Sequence, residues 1–157
     1  MTESEKLQIR YRKGSFCGEP FDEEIDETLD ILDEAGWQID ESYFDHIRAN
    51  NGGIPLMRYF PLGEIERMLN FTDSYSSVGA RYRDFNVNIV RTWIKDRVPS
   101  NIDPFACLPH GAFLCFDYSK DRLPSVVMWN NESFAEEFVP VAETFRELVS
   151  SLRETPY

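Results

Sequence analysis

Residues 111–130 constrain the fold more than any other stretch of this chain. They read Gly-Ala-Phe-Leu-Cys-Phe-Asp-Tyr, then Ser-Lys-Asp-Arg-Leu-Pro, then Ser-Val-Val-Met-Trp-Asn. Two short apolar runs, rich in aromatic and β-branched residues, flank a polar link that contains Pro124. That pattern predicts a β-hairpin. The first run is apolar at Ala112, Phe113, Leu114, Cys115 and Phe116, with no alternation. A strand of that kind is covered on both faces. A short apolar run also fits a buried helix segment, but its length and bounding turn residues favour a strand. The hairpin is therefore expected at the centre of a sheet, with helices packed around it.

Taken in order, residues 6–13 alternate through Leu7, Ile9 and Tyr11 and predict an edge strand in an N-terminal extension, residues 1–20. Asp22 is the expected cap of a helix running to about Ala35, with Ile25, Leu29 and Leu32 as its apolar stripe and Gly36 as its C′ residue. Asp40 is expected to cap a second helix over 41–49, striped by Tyr43, Phe44 and Ile47 and stopped by Asn50-Asn51-Gly52-Gly53. Residues 54–60 read as a strand whose start Pro55 restricts to an edge or entry position. Residues 61–71 fit either a helical turn or a strand through Met68 to Phe71. Residues 72–83 read as a surface loop. A helix is expected over 86–95, with Val87, Val90, Trp93 and Ile94 on one side. Residues 101–110 read as a proline-fixed approach to the hairpin, and 131–137 as a polar connection. The last helix is expected to start near Pro140, with Val141, Phe145, Leu148, Val149 and Leu152 inward. Strands joined by hairpins and helices grouped at the two ends predict an α+β fold with a mainly antiparallel sheet. At 157 residues the chain is expected to be a single domain.

The formal net charge is −12, and its distribution matters more than its size. Of the 28 Asp and Glu residues, twelve lie between Gly14 and Asp45, where there is no Lys or Arg. The other sixteen face sixteen Lys and Arg, so the whole imbalance belongs to one segment. Such a field repels polyanions and steers a basic partner, which argues against nucleic acid. It also describes an ordinary solvated helix face that keeps a protein soluble. The residues singled out for partner binding are Glu23, Glu24, Glu27, Asp30, Asp33 and Glu34. With no basic residue at i,i+4, like charges there repel by a few tenths of a kcal/mol, roughly, per pair.

Motifs for chemistry are missing. His46 and His110 are the only histidines, and neither has Cys or carboxylate neighbours at metal-ligand spacing. His46 is expected at the surface or half-buried. There is no nucleophile elbow, zinc-protease motif or phosphate-cradling loop. The odd cysteine count, Cys17, Cys107 and Cys115, suits buried free thiols in a reducing compartment. A small enzyme using Cys17 or Cys107 would need a thiol of depressed pKa. Tyr59, Phe60, Trp93, Phe105 and Trp129 are expected in the core, with one or two free to line a partner surface. The polar start of the chain predicts no signal peptide, and no apolar run reaches membrane-spanning length. The expectation is a soluble cytoplasmic protein without cofactor or metal.

The series of motifs resembles the SUKH superfamily of Smi/Knr-type domains. The matching parts are the helix ending at Asn51-Gly52-Gly53, the strand at 55–60, Val98-Pro99, and Asn101-Ile102-Asp103-Pro104-Phe105-Ala106. The run continues through Gly111 to Phe116 with Asp117, Val127-Met128-Trp129, and the closing pattern Ala142, Phe145, Leu148, Leu152. Departures are Gln38-Ile39-Asp40, where the family often has Leu-Pro, and Pro109-His110-Gly111, where it often has Gly-Gly or Gly-Asp. The resemblance implies an α+β domain with no catalytic residues. It further implies an immunity protein that binds and inhibits a cognate secreted toxin, often a nuclease. Together with the acidic segment and the lack of a long apolar run, the expectation is a basic toxin as partner, a monomer or weak dimer, and no nucleic acid or membrane. The alternative that the resemblance implies is a regulatory adaptor that binds a cellular protein.

Overall fold

The computed structural model describes residues 9–130 and 138–157. In chain order the elements are α1 (Asp22–Glu34), α2 (Glu41–Ala49), β1 (Tyr59–Phe60), β2 (Gly63–Glu64), β3 (Arg67–Met68), α3 (Ser77–Arg81), α4 (Val87–Ile94), β4 (Ile102–Cys107), β5 (Ala112–Asp117), β6 (Ser125–Asn130), β7 (Phe138–Ala142) and α5 (Phe145–Ser151). The expected hairpin is β5–β6, in unbroken antiparallel register from Ala112 opposite Asn130 to Asp117 opposite Ser125. It lies inside a five-stranded antiparallel sheet of order β3-β4-β5-β6-β7, beside a two-stranded β1–β2 ribbon. The fold is α+β, as expected.

Burial explains why β5 does not alternate. Leu114, Cys115 and Phe116 are all buried, so both faces of that strand are covered. Phe105 and Phe116 stack across β4–β5 at 4.4 Å. Tyr43 of α2 meets Phe116 edge-on at 4.8 Å and Phe145 of α5 at 5.3 Å. These ring contacts seat both helices on the sheet, in the edge-to-face arrangement that aromatic quadrupoles favour.

Several expectations are corrected. Residues 101–110 are not a mere approach: Ile102–Cys107 is a fully buried inner strand. Pro104 is accommodated because the ladder shifts register between Pro104 and Ala106, a bulge that spares the missing N–H. Pro140 does not start the last helix. It lies exposed in β7, an outermost strand, and α5 begins five residues later, where the Thr144 hydroxyl accepts from the Glu147 N–H at 3.1 Å. The strand expected over 54–60 shrinks to β1, with Pro55 in an isolated bridge to Tyr11. The edge strand at 6–13 is likewise reduced in its described part to that bridge, and residues 6–8 lie outside the described residues. The loop at 72–83 contains α3. The polar connection at 131–137 lies outside the described residues.

The second helix matches its expected bounds. The Asp40 carboxylate accepts from the Tyr43 N–H at 3.0 Å, and its second oxygen accepts from the Phe145 N–H at 3.3 Å. One side chain thus serves the first turns of both α2 and α5. Gly52 and Gly53 hold φ of 75° and 121°, the positive values expected of the stop signal.

Candidate functional site

Eight of the twelve acidic residues of that segment lie in α1, where Ile25, Thr28 and Leu32 are buried. Asp22 is not its cap: Phe21 holds that position without a side-chain bond, and Asp22 opens the first turn beside Glu23 and Glu24. Three carboxylates there interact favourably with the positive end of the helix dipole. The helix stops where Gly36 was expected. Gly36 has φ of 78°, its N–H donates to the Asp33 carbonyl, and the Trp37 N–H donates to the Leu32 carbonyl at 2.9 Å.

A buried polar network fixes the rotation of α1 about its axis. The Thr28 hydroxyl donates to Asn88 Oδ1 at 2.8 Å and accepts from an Arg91 Nη at 2.8 Å. The Asn88 amide donates to the Glu24 carbonyl at 2.8 Å and to the Glu24 carboxylate at 2.9 Å. Arg91 in turn holds Asp103 of β4 with a closest approach of 2.7 Å. Burial raises the Asp103 pKa, and the Arg91 guanidinium opposes that rise. Asn86, whose side chain accepts from the Asn88 and Ile89 N–H groups, caps α4 and sets Asn88 and Arg91 toward α1. Polar groups buried at this depth need such partners, so only one face of α1 can point inward.

The outward face carries Glu23, Glu27, Asp30, Asp33 and Glu34, all exposed, together with Asp26. Glu24 departs from the other singled-out residues. It is half-buried, bonded to Asn88, and accepts from the Ser74 N–H at 3.4 Å. Asp22 pairs with Arg48 at 3.5 Å in solvent, a contact worth about 0–1 kcal/mol. The fold adds two residues that sequence reasoning missed. Asp73 and Tyr75, from the loop before α3, join Phe21, Glu23, Glu24 and Glu27 around an open cleft of about 380 Å³. Tyr75 is 96% exposed. Asp73 Oδ1 accepts from the Tyr75 N–H at 3.0 Å, which fixes the turn that presents the ring. A Ser- and Asp-rich loop signals a turn, but nothing local tells which helix it will face.

The remaining candidates for chemistry are occupied structurally. All three cysteines are free and buried. Burial raises the Cys17 pKa despite Arg67, pushes Cys107 up to about 12, and holds Cys115 well above the usual range. A nucleophilic thiol needs the opposite shift. His46 is not at the surface: it is 6% exposed, hydrogen-bonded to the Tyr11 hydroxyl and stacked on that ring at 5.7 Å. Burial lowers its pKa to about 4. His110 stands exposed in the turn before β5, with φ of 65°. Trp93, expected inward, is 57% exposed on α4. Among the described residues no group of three or more His, Cys, Asp or Glu side chains could hold a metal, and no helix is long and apolar enough to cross a membrane.

A family model described as the SMI1 / KNR4 family (SUKH-1) matches residues 22–151. The chain belongs to this family. The matched SUKH-1 span opens on the first residue of α1 and closes on the last of α5, so it contains both the sheet and the acidic helix. Comparison with curated proteins and with solved structures gave no match. Membership in SUKH-1 is consistent with an immunity protein or a Smi/Knr-type domain, and it points to protein partners.

Proposed function

We propose that this SUKH-1 domain is an immunity protein that binds and neutralises a cognate secreted bacterial toxin, a basic protein of nuclease type. It acts in the cytoplasm as a monomer or weak dimer, without catalysis, by covering the toxin's active or substrate-binding surface. The observation that carries this reading is the outward carboxylate face of α1, held in a fixed orientation by its buried network. Glu23, Glu27, Asp30, Asp33 and Glu34 present to a cationic groove what a polyanion's phosphates would present. Electrostatic complementarity of that sort raises the association rate and disfavours wrong partners. Glu24 takes part from the floor of the cleft, where Asp73 and the Tyr75 ring suit a lysine or arginine side chain.

The test is a titration with the polypeptide encoded beside this gene, using wild type and the quadruple variant Glu23→Lys, Glu27→Lys, Asp30→Lys and Glu34→Lys. Exposed pairs contribute about 0.2–1 kcal/mol each. Four reversals are therefore expected to weaken binding about a hundredfold at low salt and to flatten its salt dependence. Affinity and salt slope that do not change would show that the acidic face is not the binding surface.

A further inference from the structure

Beside the C-terminal half of α1 lies a partly open cavity of about 190 Å³. The helix gives it only Ile31 and Leu32, so no carboxylate of α1 reaches its walls. Ile94, Val98, Ile102 and the Trp37 indole complete an apolar lining, and Trp37 is held by stacking on Tyr118 at 5.1 Å. Two polar groups on lining residues are left unmet. Asp103 borders the cavity and is 8% exposed. Arg91 directs both of its bonds to this residue at Oδ1, and Oδ2 accepts none among the described residues. Tyr118 is 4% exposed, and its hydroxyl has no partner among the described residues. Burial first, and then the nearby Asp103 charge, raise the pKa of that hydroxyl. Buried polar groups without partners cost free energy until something meets them.

The mouth carries the opposite charge. Lys95 stands there exposed and has no ion pair among the described residues. Arg91 and Asp103 cancel, so a guest entering the cavity meets the charge of Lys95, a cation in a chain of net −12. A dry cavity of about 150 Å³ with aliphatic and aromatic walls takes up benzene, so this one has room for one ring with small substituents. We propose that the cavity binds a single-ring phenolic carboxylate. The ring lies against Ile31, Trp37 and Val98, the phenol donates to Asp103 Oδ2 and accepts from the Tyr118 hydroxyl, and the carboxylate meets the Lys95 ammonium. A few convergent polar groups in an apolar wall are what orient a small ligand. The site goes beyond toxin binding and uses none of the acidic face.

Three probes test it by amide and indole NMR shifts of the full chain at low salt: 4-hydroxybenzoate, benzoate, which lacks the phenol, and 4-hydroxybenzamide, which lacks the charge. 4-Hydroxybenzoate is expected to shift the Trp37 indole and residues 94–103 saturably below about 10 mM, the weakest affinity that a ligand of this size should show. Benzoate should bind about fivefold more weakly, since it leaves Asp103 Oδ2 and the Tyr118 hydroxyl unmet. The amide should bind about two- to fivefold more weakly, and Lys95→Met, at an exposed position, should erase that difference. Tyr118→Phe should shrink the preference for 4-hydroxybenzoate over benzoate while leaving the Tm of the free protein unchanged or higher, because its hydroxyl has no partner there to lose. Unsaturated shifts scattered over the surface, equal affinity for 4-hydroxybenzoate and benzoate, a charge preference that survives Lys95→Met, or a lowered Tm of free Tyr118→Phe each overturn the site. None of these results bears on the acidic face, whose carboxylates lie outside the cavity.

Discussion

Arg91→Met tests the link between the buried network and the helix it orients. In the native protein the guanidinium serves Asp103, Asn88 and Thr28 at once. Asp103 is 8% exposed, so removing its cation leaves a charge in the interior with no counterpart. That situation costs about 3–5 kcal/mol, a large fraction of the 5–15 kcal/mol or so that holds a domain together. For a chain of this length it corresponds to a fall in Tm of about 10 °C or more. Arg91→Met combined with Asp103→Leu removes both charges and is expected to return to within about 2 kcal/mol of wild type. The pH dependence carries a sign. Burial already places the folded-state pKa of Asp103 above its unfolded value, and losing Arg91 raises it further. The penalty in the single variant is therefore largest at neutral pH and is relieved as pH falls through the raised value, where the native carboxyl takes up a proton. Urea unfolding followed by far-UV circular dichroism at pH 7 and pH 5 measures all of this. A single variant within about 1 kcal/mol of wild type at pH 7 refutes the reasoning, as does a double variant no more stable than the single one.

His46 gives the domain an acid limit of its own. Its folded-state pKa, lowered to about 4, lies below the ordinary imidazole value of 6.5, so the unfolded chain protonates first as pH falls. The stability tied to the neutral ring is complete above about pH 6.5 and is lost progressively towards pH 4, by up to about 3 kcal/mol. Urea midpoints across that window should fall for wild type and less for His46→Gln. The two tryptophans expected in the core should separate sharply in thermal unfolding. Trp129→Ala, at a site 2% exposed, costs about 3–5 kcal/mol, whereas Trp93→Ala stays within about 0.5 kcal/mol of wild type.

Elements whose signals are local were legible in the sequence. The β5–β6 hairpin, the bounds of α2 and its Asp40 cap, and the glycine stop after α1 all rest on residues within a few positions of one another. Elements that depend on a distant partner were not. Pro104 suggested an interruption and Pro140 a helix start, yet both sit in strands, because one lies at a bulge and the other at a sheet edge. A proline's local preference carries no information about which neighbours need its missing N–H. Trp93 and His46 exchanged their expected places for a related reason. Both sit on amphipathic helices, and a stripe of this width tolerates one residue of ambiguous polarity on either side.

The same division holds at the candidate site. Sequence alone determined that the excess negative charge is concentrated in one segment, because charge is additive and needs no fold to be counted. Only the tertiary structure decided which carboxylates meet solvent. Thr28, Asn88 and Arg91 lie up to 63 residues apart, yet their hydrogen bonds set the rotation of α1 and draw Glu24 inward. Long-range packing likewise brought Asp73 and Tyr75 to that helix and opened the apolar cavity beside Ile31. Hydrogen bonds and cavities depend on where chains cross in space, and a one-dimensional pattern does not record those crossings.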